Sequence, residues 1–414
     1  MRRLLAPFSR PVPALLALLV AAQALFCWRL TTPHRLVFDE VHYVSAARTL
    51  LALDGPVNIE HPLLGKMLIA AGMLIFGDTP LGWRALSTLA GTAIVGGVFA
   101  IVWLMTRRTR PAATAALLTL VNFMVLVQAR IAMLDGYMAA FLVLAIAMMG
   151  WAMRGSVAQS RWRWTLGAVL LGLAVGVKWA AVPYLGYAAI GFVLMKRGDA
   201  SRWPELRWWS AWGLLGIGAG LAYAVTFTPA FFYAHDPLTL ATLLPFQLDI
   251  YARQTQVLPP HTYQSLWWSW PVIGRPIWYF YEVADGAQRG IFLLGNPAVM
   301  WGGLVAVATC ALGWVRTREV RLGFAAALWI GGFAIWAIIP KSLGFYYYYF
   351  LPAIWLSIAI AVAIDRWRPR LRDWDEAYLV AAVCLLVYFY PILTAGALAG
   401  PDSFARWTWF ADWR

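Results

Sequence analysis

Residues 134–153 read LDGYMAAFLVLAIAMMGWAM and contain one charged side chain, Asp135. A helix of this length, rising about 1.5 Å per residue, crosses the roughly 30 Å of hydrocarbon in a bilayer. Apolar runs recur on both sides of it, at 11–30, 83–105, 112–127, 164–177, 180–195, 209–229, 290–315, 322–339, 345–364 and 378–398. With 62% hydrophobic residues, 13% charged residues and a mean hydropathy of +0.67, a soluble domain is excluded. The expectation is an all-α polytopic membrane protein with about 11 transmembrane helices.

Two polar stretches interrupt this pattern, at 31–82 and 230–288. Both are expected to be long external loops carrying amphipathic helices that lie in the interface, the first near 41–53. The domain expectation follows: an N-terminal transmembrane module over 1–229, an external loop over 230–288, and a C-terminal transmembrane module over 289–414. The first run is expected to be an uncleaved helix. Ala22-Gln23-Ala24 offers a cleavage pattern, but the apolar run continues through Leu25, Phe26 and Trp28.

Charge orients the bundle. The net charge is +14, and most of the 33 basic residues fall in alternate connections: Arg2, Arg3 and Arg10; Arg107, Arg108 and Arg110; Arg154, Arg161 and Arg163; Lys196 to Arg207; Arg316 to Arg321; and Arg366 to Arg372. These connections are assigned to the cytoplasm, which puts the N-terminus inside and the C-terminus outside. Topology accounts for the basic charge, so no nucleic-acid partner is implied. Cys27, Cys310 and Cys384 sit in apolar contexts without paired spacing, and read as buried structural thiols.

On the outer side, charged residues need another cause. Residues 37–47, VFDEVHYVSAA, place Asp39 and Glu40 just after the first span. Asp39 at the start of a helix can simply be an N-cap, and Glu40 favours the helix's positive end. Five cations also remain on this side at span ends: Lys66, Arg84, Arg130, Lys178 and Lys341. Snorkelling explains any one of them, while a cluster suits an anionic ligand, and a lipid phosphate fits the geometry. A carboxylate base facing such a cluster implies glycosyl transfer from a lipid-linked sugar, with inversion for a single displacement.

The blocks FDEVHY, HPLLGKMLIAAG, WRALSTLAG, VQARIAMLDG and LAVGVKWAA resemble the N-terminal half of the protein O-mannosyltransferases, of the GT-C glycosyltransferase class. HTYQSLWWSWPVIGRPIWYFYE, FLLGNPAVMWGG and FYYYYFLPA are similar to that family's C-terminal domain in order and spacing. The resemblance implies a GT-C fold and a bacterial-type enzyme, since 230–288 is too short for the β-trefoil insert of eukaryotic members. It also implies transfer of mannose from a polyprenyl-phosphate-mannose donor to Ser or Thr of translocated protein, at the outer face of the plasma membrane. The secretion translocon stands as a further candidate partner.

By position, Asp39 matches the catalytic base and Glu40 its acidic neighbour, with Arg84 and His61 as site support. Leu63 departs from the family's HPP pattern, and Lys341 replaces an arginine that often precedes the tyrosines, which keeps charge but loses the bidentate fork. Lys178 and Lys341 are expected at the donor phosphate, and Trp268 and Tyr347 at the acceptor or sugar, although interfacial tryptophans commonly form an aromatic belt. Arg130 and Asp135 are expected to pair as structural support. No metal motif is present; Asp39, Glu40 and His61, or Glu282 and Asp285, are the carboxylate sets a divalent ion could use. Two alternatives remain open: transfer of a sugar to a glycolipid or cell-envelope polymer, and transport of a lipid-linked sugar. Matched broken helices in two repeated halves, the sequence sign of many transporters, are not seen in the hydropathy.

Overall fold

The computed structural model describes residues 10–339, 341–371 and 374–414, so Arg2, Arg3 and Arg372 lie outside the described residues. In chain order the helices are α1 (Pro11–Cys27), α2 (Glu40–Leu51), α3 (Leu64–Phe76), α4 (Pro80–Thr106), α5 (Thr109–Leu120), α6 (Phe123–Gln128), α7 (Leu134–Ala152), α8 (Val157–Val177), α9 (Val182–Gly198), α10 (Trp208–Val225) and α11 (Leu240–Thr255). A hairpin, β1 (Ile277–Ala284) and β2 (Ala287–Leu293), precedes α12 (Pro297–Thr317), α13 (Val320–Ala334), α14 (Phe350–Leu371) and α15 (Trp374–Leu393).

Among the described residues, eight helical segments are long and apolar enough to cross a membrane, with α1 and α3 as shorter apolar helices. The expected count of eleven is not confirmed by length and composition alone. The run 112–127 breaks at Val121-Asn122, where the Asn122 side chain accepts from the Met124 N–H and starts α6 afresh. The first turns of α8 carry Arg161 and Arg163, which dilutes its hydropathy. The all-α reading also misses the hairpin. Its strands pair antiparallel from Ile277↔Leu293 to Ala284↔Ala287. Asp285 and Gly286 close it with φ of 49° and 73°, the left-handed pair that an Asp-Gly turn favours.

The chain forms two compact units. The first comprises 1–38, 79–131 and 256–414. Its centre is α14, buried on every side from Phe350 to Ala363, as expected of a helix that is apolar all round. Asn296, fully buried in the FLLGNP block, explains why that block reads as it does. Its Oδ1 accepts from the Ala298 N–H to cap α12, and its Nδ2 donates to the carbonyls of Val121 and Ala382 at 3.0 and 2.9 Å. Asn296→Ala removes the side-chain donor to both buried carbonyls and uncaps α12, so unfolding in detergent should show a loss of about 2–4 kcal/mol. Ion pairs fasten the basic end of this unit: Arg110 grips Asp375 through two bonds of 2.6 and 2.7 Å, and Arg108 and Arg321 converge on Asp365 at 3.0 and 2.9 Å.

The second unit comprises 39–78 and 132–255. Here α8 packs between α7 and α10 through small residues: a Cβ on Gly167 would meet Met149, and one on Gly172 would strike the Ala219 backbone. The two polar stretches meet in this unit. Ala234 and His235 N–H groups donate to the carbonyls of Leu53 and Asp54, both at 2.8 Å, and Gln254 donates to the Glu60 carbonyl at 2.8 Å. Leu50, Leu63, Phe227 and Ile250 form a small apolar core beneath them. Of the three cysteines, all free, Cys310 is buried as expected, whereas Cys27 and Cys384 are exposed.

Candidate active site

Asp39 holds the N-cap position of α2, yet its side chain makes no capping hydrogen bond. Its carboxylate is half-buried and, among the described residues, receives only a long contact from the Tyr43 hydroxyl, at 3.4 Å. Burial pushes its pKa up to about 6; the Lys178 and His42 charges oppose that rise, and the Asp135 charge adds to it. Capping therefore does not account for Asp39. A carboxylate held near neutrality, with its oxygens not committed to a helix end, has the properties of a general base.

Glu40 does different work. Fully buried in the first turn of α2, it accepts the Ala132 N–H at 2.8 Å and so ties the start of α2 to the extended segment before α7. Behind Asp39 lies a buried ion pair. Lys178 leaves the end of α8 with extended backbone (φ −157°, ψ 133°), and its Nζ donates to both Asp135 oxygens at 2.9 and 2.8 Å. The helices set this arrangement. Asp135 stands in the first turn of α7 and Lys178 at the C-terminus of α8, the ends whose dipoles favour an anion and a cation. Asp135 thus pairs with Lys178 and not, as expected, with Arg130.

Three of the remaining stranded cations, Lys66, Arg84 and Arg130, bind backbone. Lys66, buried at the start of α3, donates to the carbonyls of Val57, Asn58 and His61, which curls the loop carrying His61 back onto α3. The His61 ring lies 6.0 Å from Tyr43, edge-on. In the first unit, Arg84 donates to Leu30, Pro33 and Arg35 carbonyls at 3.3, 2.8 and 2.7 Å. Arg130 grips the carbonyls of Leu25, Phe26, Trp28 and Arg29 at 2.6–3.3 Å. Together they order the chain from the end of α1 towards Phe38, whose ring stacks on Tyr279 at 4.1 Å and 15°. Arg84→Ala leaves three carbonyls without that donor, and we expect a lower melting temperature together with a lower kcat, read by thermal unfolding and turnover.

Of the tyrosine run, Tyr346 and Tyr349 point inward: the Tyr346 hydroxyl accepts the Gly295 N–H at 3.1 Å, and that of Tyr349 accepts from the Trp329 indole at 2.7 Å. Tyr347 is half-buried, stacked on Phe345 and edge-on to Phe38. Trp268 is 61% exposed, unlike the buried Trp270. Lys341 is half-buried in the loop before these tyrosines. Among the described residues no three His, Cys, Asp or Glu side chains are grouped to hold a metal ion. Glu282 and Asp285 instead face Arg35 and His34, at 3.6 and 3.3 Å. Neither the Lys178–Asp135 pair nor the Phe38–Tyr279 stack was visible in the sequence, because each joins residues far apart in the chain with no spacing to mark them.

This arrangement of helices is that of the GT-C membrane glycosyltransferases. The fold matches the Saccharomyces cerevisiae protein O-mannosyltransferase Pmt1-Pmt2 complex bound to the sugar donor with a TM-score of 0.82, covering 96% of this chain and 92% of that one at 13% identity. It also matches ArnT from Cupriavidus metallidurans bound to undecaprenyl phosphate, with a TM-score of 0.59 and 17% identity, covering 91% and 70% of the two chains. In sequence, the chain is 27% identical to the polyprenol-phosphate-mannose–protein mannosyltransferase of Mycolicibacterium smegmatis, with 91% of this chain and 87% of that protein covered. The same-named protein of Mycobacterium tuberculosis is 26% identical, with 91% and 86% covered. Residues 76–231 match the family model described as dolichyl-phosphate-mannose-protein mannosyltransferase, and 239–413 that of the C-terminal four TMM region of protein-O-mannosyltransferase. Both models describe one family and together take most of the chain, which belongs to the protein O-mannosyltransferases.

Proposed function

We propose that this protein transfers a mannosyl group from a polyprenyl-phosphate-mannose donor to Ser or Thr hydroxyls of translocated protein, at the outer face of a bacterial plasma membrane. The observation that carries the mechanism is Asp39: a helix-start carboxylate that makes no capping bond and whose pKa burial pushes up to about 6. In the reaction the acceptor hydroxyl gives its proton to Asp39 while its oxygen attacks the anomeric carbon. The bond from that carbon to the phosphate oxygen breaks, the electron pair leaves on the lipid phosphate, and the configuration inverts. Glu40, anchored to the Ala132 N–H, fixes the first turn of α2 and with it the direction of its neighbour. The names of the relatives support the donor and the protein acceptor, and the basic clusters in alternate connections support the orientation.

The direct test incubates the purified protein with polyprenyl-phosphate mannose and a Ser/Thr-rich peptide and follows mannosyl-peptide by mass spectrometry. Peptide product with an inverted linkage is the expected result. Transfer to a lipid acceptor with no peptide product would replace this reading by glycolipid modification. Movement of the donor across vesicles without any transfer would replace it by transport.

A further inference from the structure

In the second unit, α8 and α10 run side by side from their basic ends, with Trp164 Nε1 donating to the Ala211 carbonyl at 2.9 Å and Gly172 seated on Ala219. Along one flank of that seam lies an open groove of about 810 Å³. Its charged residue is Arg161; Ser210 and the rings of Trp162 and Trp209 share that end, and Leu166 and Leu214 continue it along the helices. These side chains come from the N-terminal halves of both helices and are largely exposed, with Trp162 at 47% and Trp209 at 56%.

Three neighbouring cations on this end are engaged: Arg163 lies over the Trp151 ring at 3.7 Å and donates to the Arg154 carbonyl, Arg202 meets Asp199 at 3.4 Å, and Lys196 donates to the carbonyls of Trp203 and Leu206. Among the described residues, the Arg161 guanidinium has no carboxylate partner, and the Ser210 hydroxyl makes no hydrogen bond. The groove therefore combines an uncompensated cation and a hydroxyl at one end, two amphipathic indoles beside them, and an aliphatic track leading away. That order of chemistry, charge to interface to hydrocarbon, is the order along a phospholipid.

We propose that this groove is a binding site for an anionic phospholipid, with the headgroup phosphate on Arg161 and an acyl chain along Leu166 and Leu214. A guanidinium matches a phosphate through two parallel N–H donors, and at the membrane edge it also draws in the lipid's net charge. The site is independent of the catalytic carboxylate and does not rest on the proposed reaction. Charge complementarity selects the occupant, because an apolar helix of another protein would leave Arg161 unpaired in the contact.

The full-length protein, purified in detergent, is mixed with equal amounts of phosphatidylglycerol and phosphatidylcholine, and bound lipid is counted by native mass spectrometry. The expected result is retention of phosphatidylglycerol over phosphatidylcholine by roughly tenfold, the ratio that one charge-assisted contact supplies. Arg161→Gln should bring the two lipids level, Leu214→Trp should lower retention of both by filling the track, and Arg154→Gln, outside the groove, should change neither. Arg161 is exposed, and size-exclusion elution identical to the unsubstituted protein would establish that its variant is folded. Equal retention of the two lipids by the unsubstituted protein, or undiminished preference in Arg161→Gln, would overturn the proposal. Preferential capture of undecaprenyl phosphate over phosphatidylglycerol would overturn it too, as would a change of oligomeric state in Arg161→Gln with lipid retention unaltered.

Discussion

The Asp39→Asn variant is expected to lose transfer activity by roughly 10²–10⁴-fold while the protein remains folded, because an amide is isosteric with the carboxylate but cannot accept the acceptor's proton. Two features of the site make this prediction sharper than a simple knockout. Asp39 makes no capping bond, so the substitution uncaps no helix, and the amide oxygen can still accept the long Tyr43 contact. Its pKa is raised from 3.8 to about 6, so in that interval the folded protein holds a proton that the unfolded chain releases. Ionising Asp39 therefore costs stability as pH rises from about 4 to 6, and the neutral amide is free of that cost. Activity should vanish while the melting temperature at pH 7 stays level or rises. In the unsubstituted protein kcat/KM should climb with pH through about 6 and then flatten, as the base loses its proton. Full turnover by Asp39→Asn, or a profile without an acid limb, would remove Asp39 from the role of base.

Lys178→Met should be the most destabilising single change at the site. It strands the Asp135 carboxylate, 2% exposed, without the ammonium that meets both its oxygens, at a cost of about 3–5 kcal/mol. The double variant Lys178→Met with Asp135→Leu leaves no unpaired charge and should recover most of that loss in thermal unfolding. The pH profile separates this structural role from an electrostatic one. Lys178 is the leading charge that holds the Asp39 pKa down, so any Lys178→Met protein that folds should show its acid limb displaced to higher pH. A limb that stays near 6 would mean that Lys178 acts on stability alone. A raised KM for the lipid donor with an unmoved limb would instead favour the phosphate-binding role.

How much of this was legible beforehand depended on range. The long apolar runs of α4 and α7 were read with ends near those observed, because the bilayer demands length and composition within one segment, whereas the run 290–315 began in strand β2 and 345–364 stopped short of the end of α14. The break at Asn122 and the hairpin turn at Asp285-Gly286 were missed, though each carries a local signal: an Asn that can cap, and a dipeptide suited to left-handed φ. The stranded cations were noticed, with Lys178 and Lys341 expected at the donor phosphate and Arg84 and Arg130 as site support, but the partners they hold were not legible. Lys66, Arg84 and Arg130 use their donors on backbone carbonyls, a partner type that leaves no trace in sequence because every residue has one.

The sequence by itself determined that this chain lives in a membrane, which of its connections carry the positive charge, and that a carboxylate pair follows the first span. These are properties of composition and order, which a one-dimensional pattern records. The tertiary structure alone decided that Asp39 is spared from capping, that Glu40 is committed to the Ala132 N–H, and that Lys178 faces Asp135. Each of those outcomes depends on which helix ends meet, and the balance of burial against neighbouring charge that sets a carboxylate's proton affinity exists only once they have met.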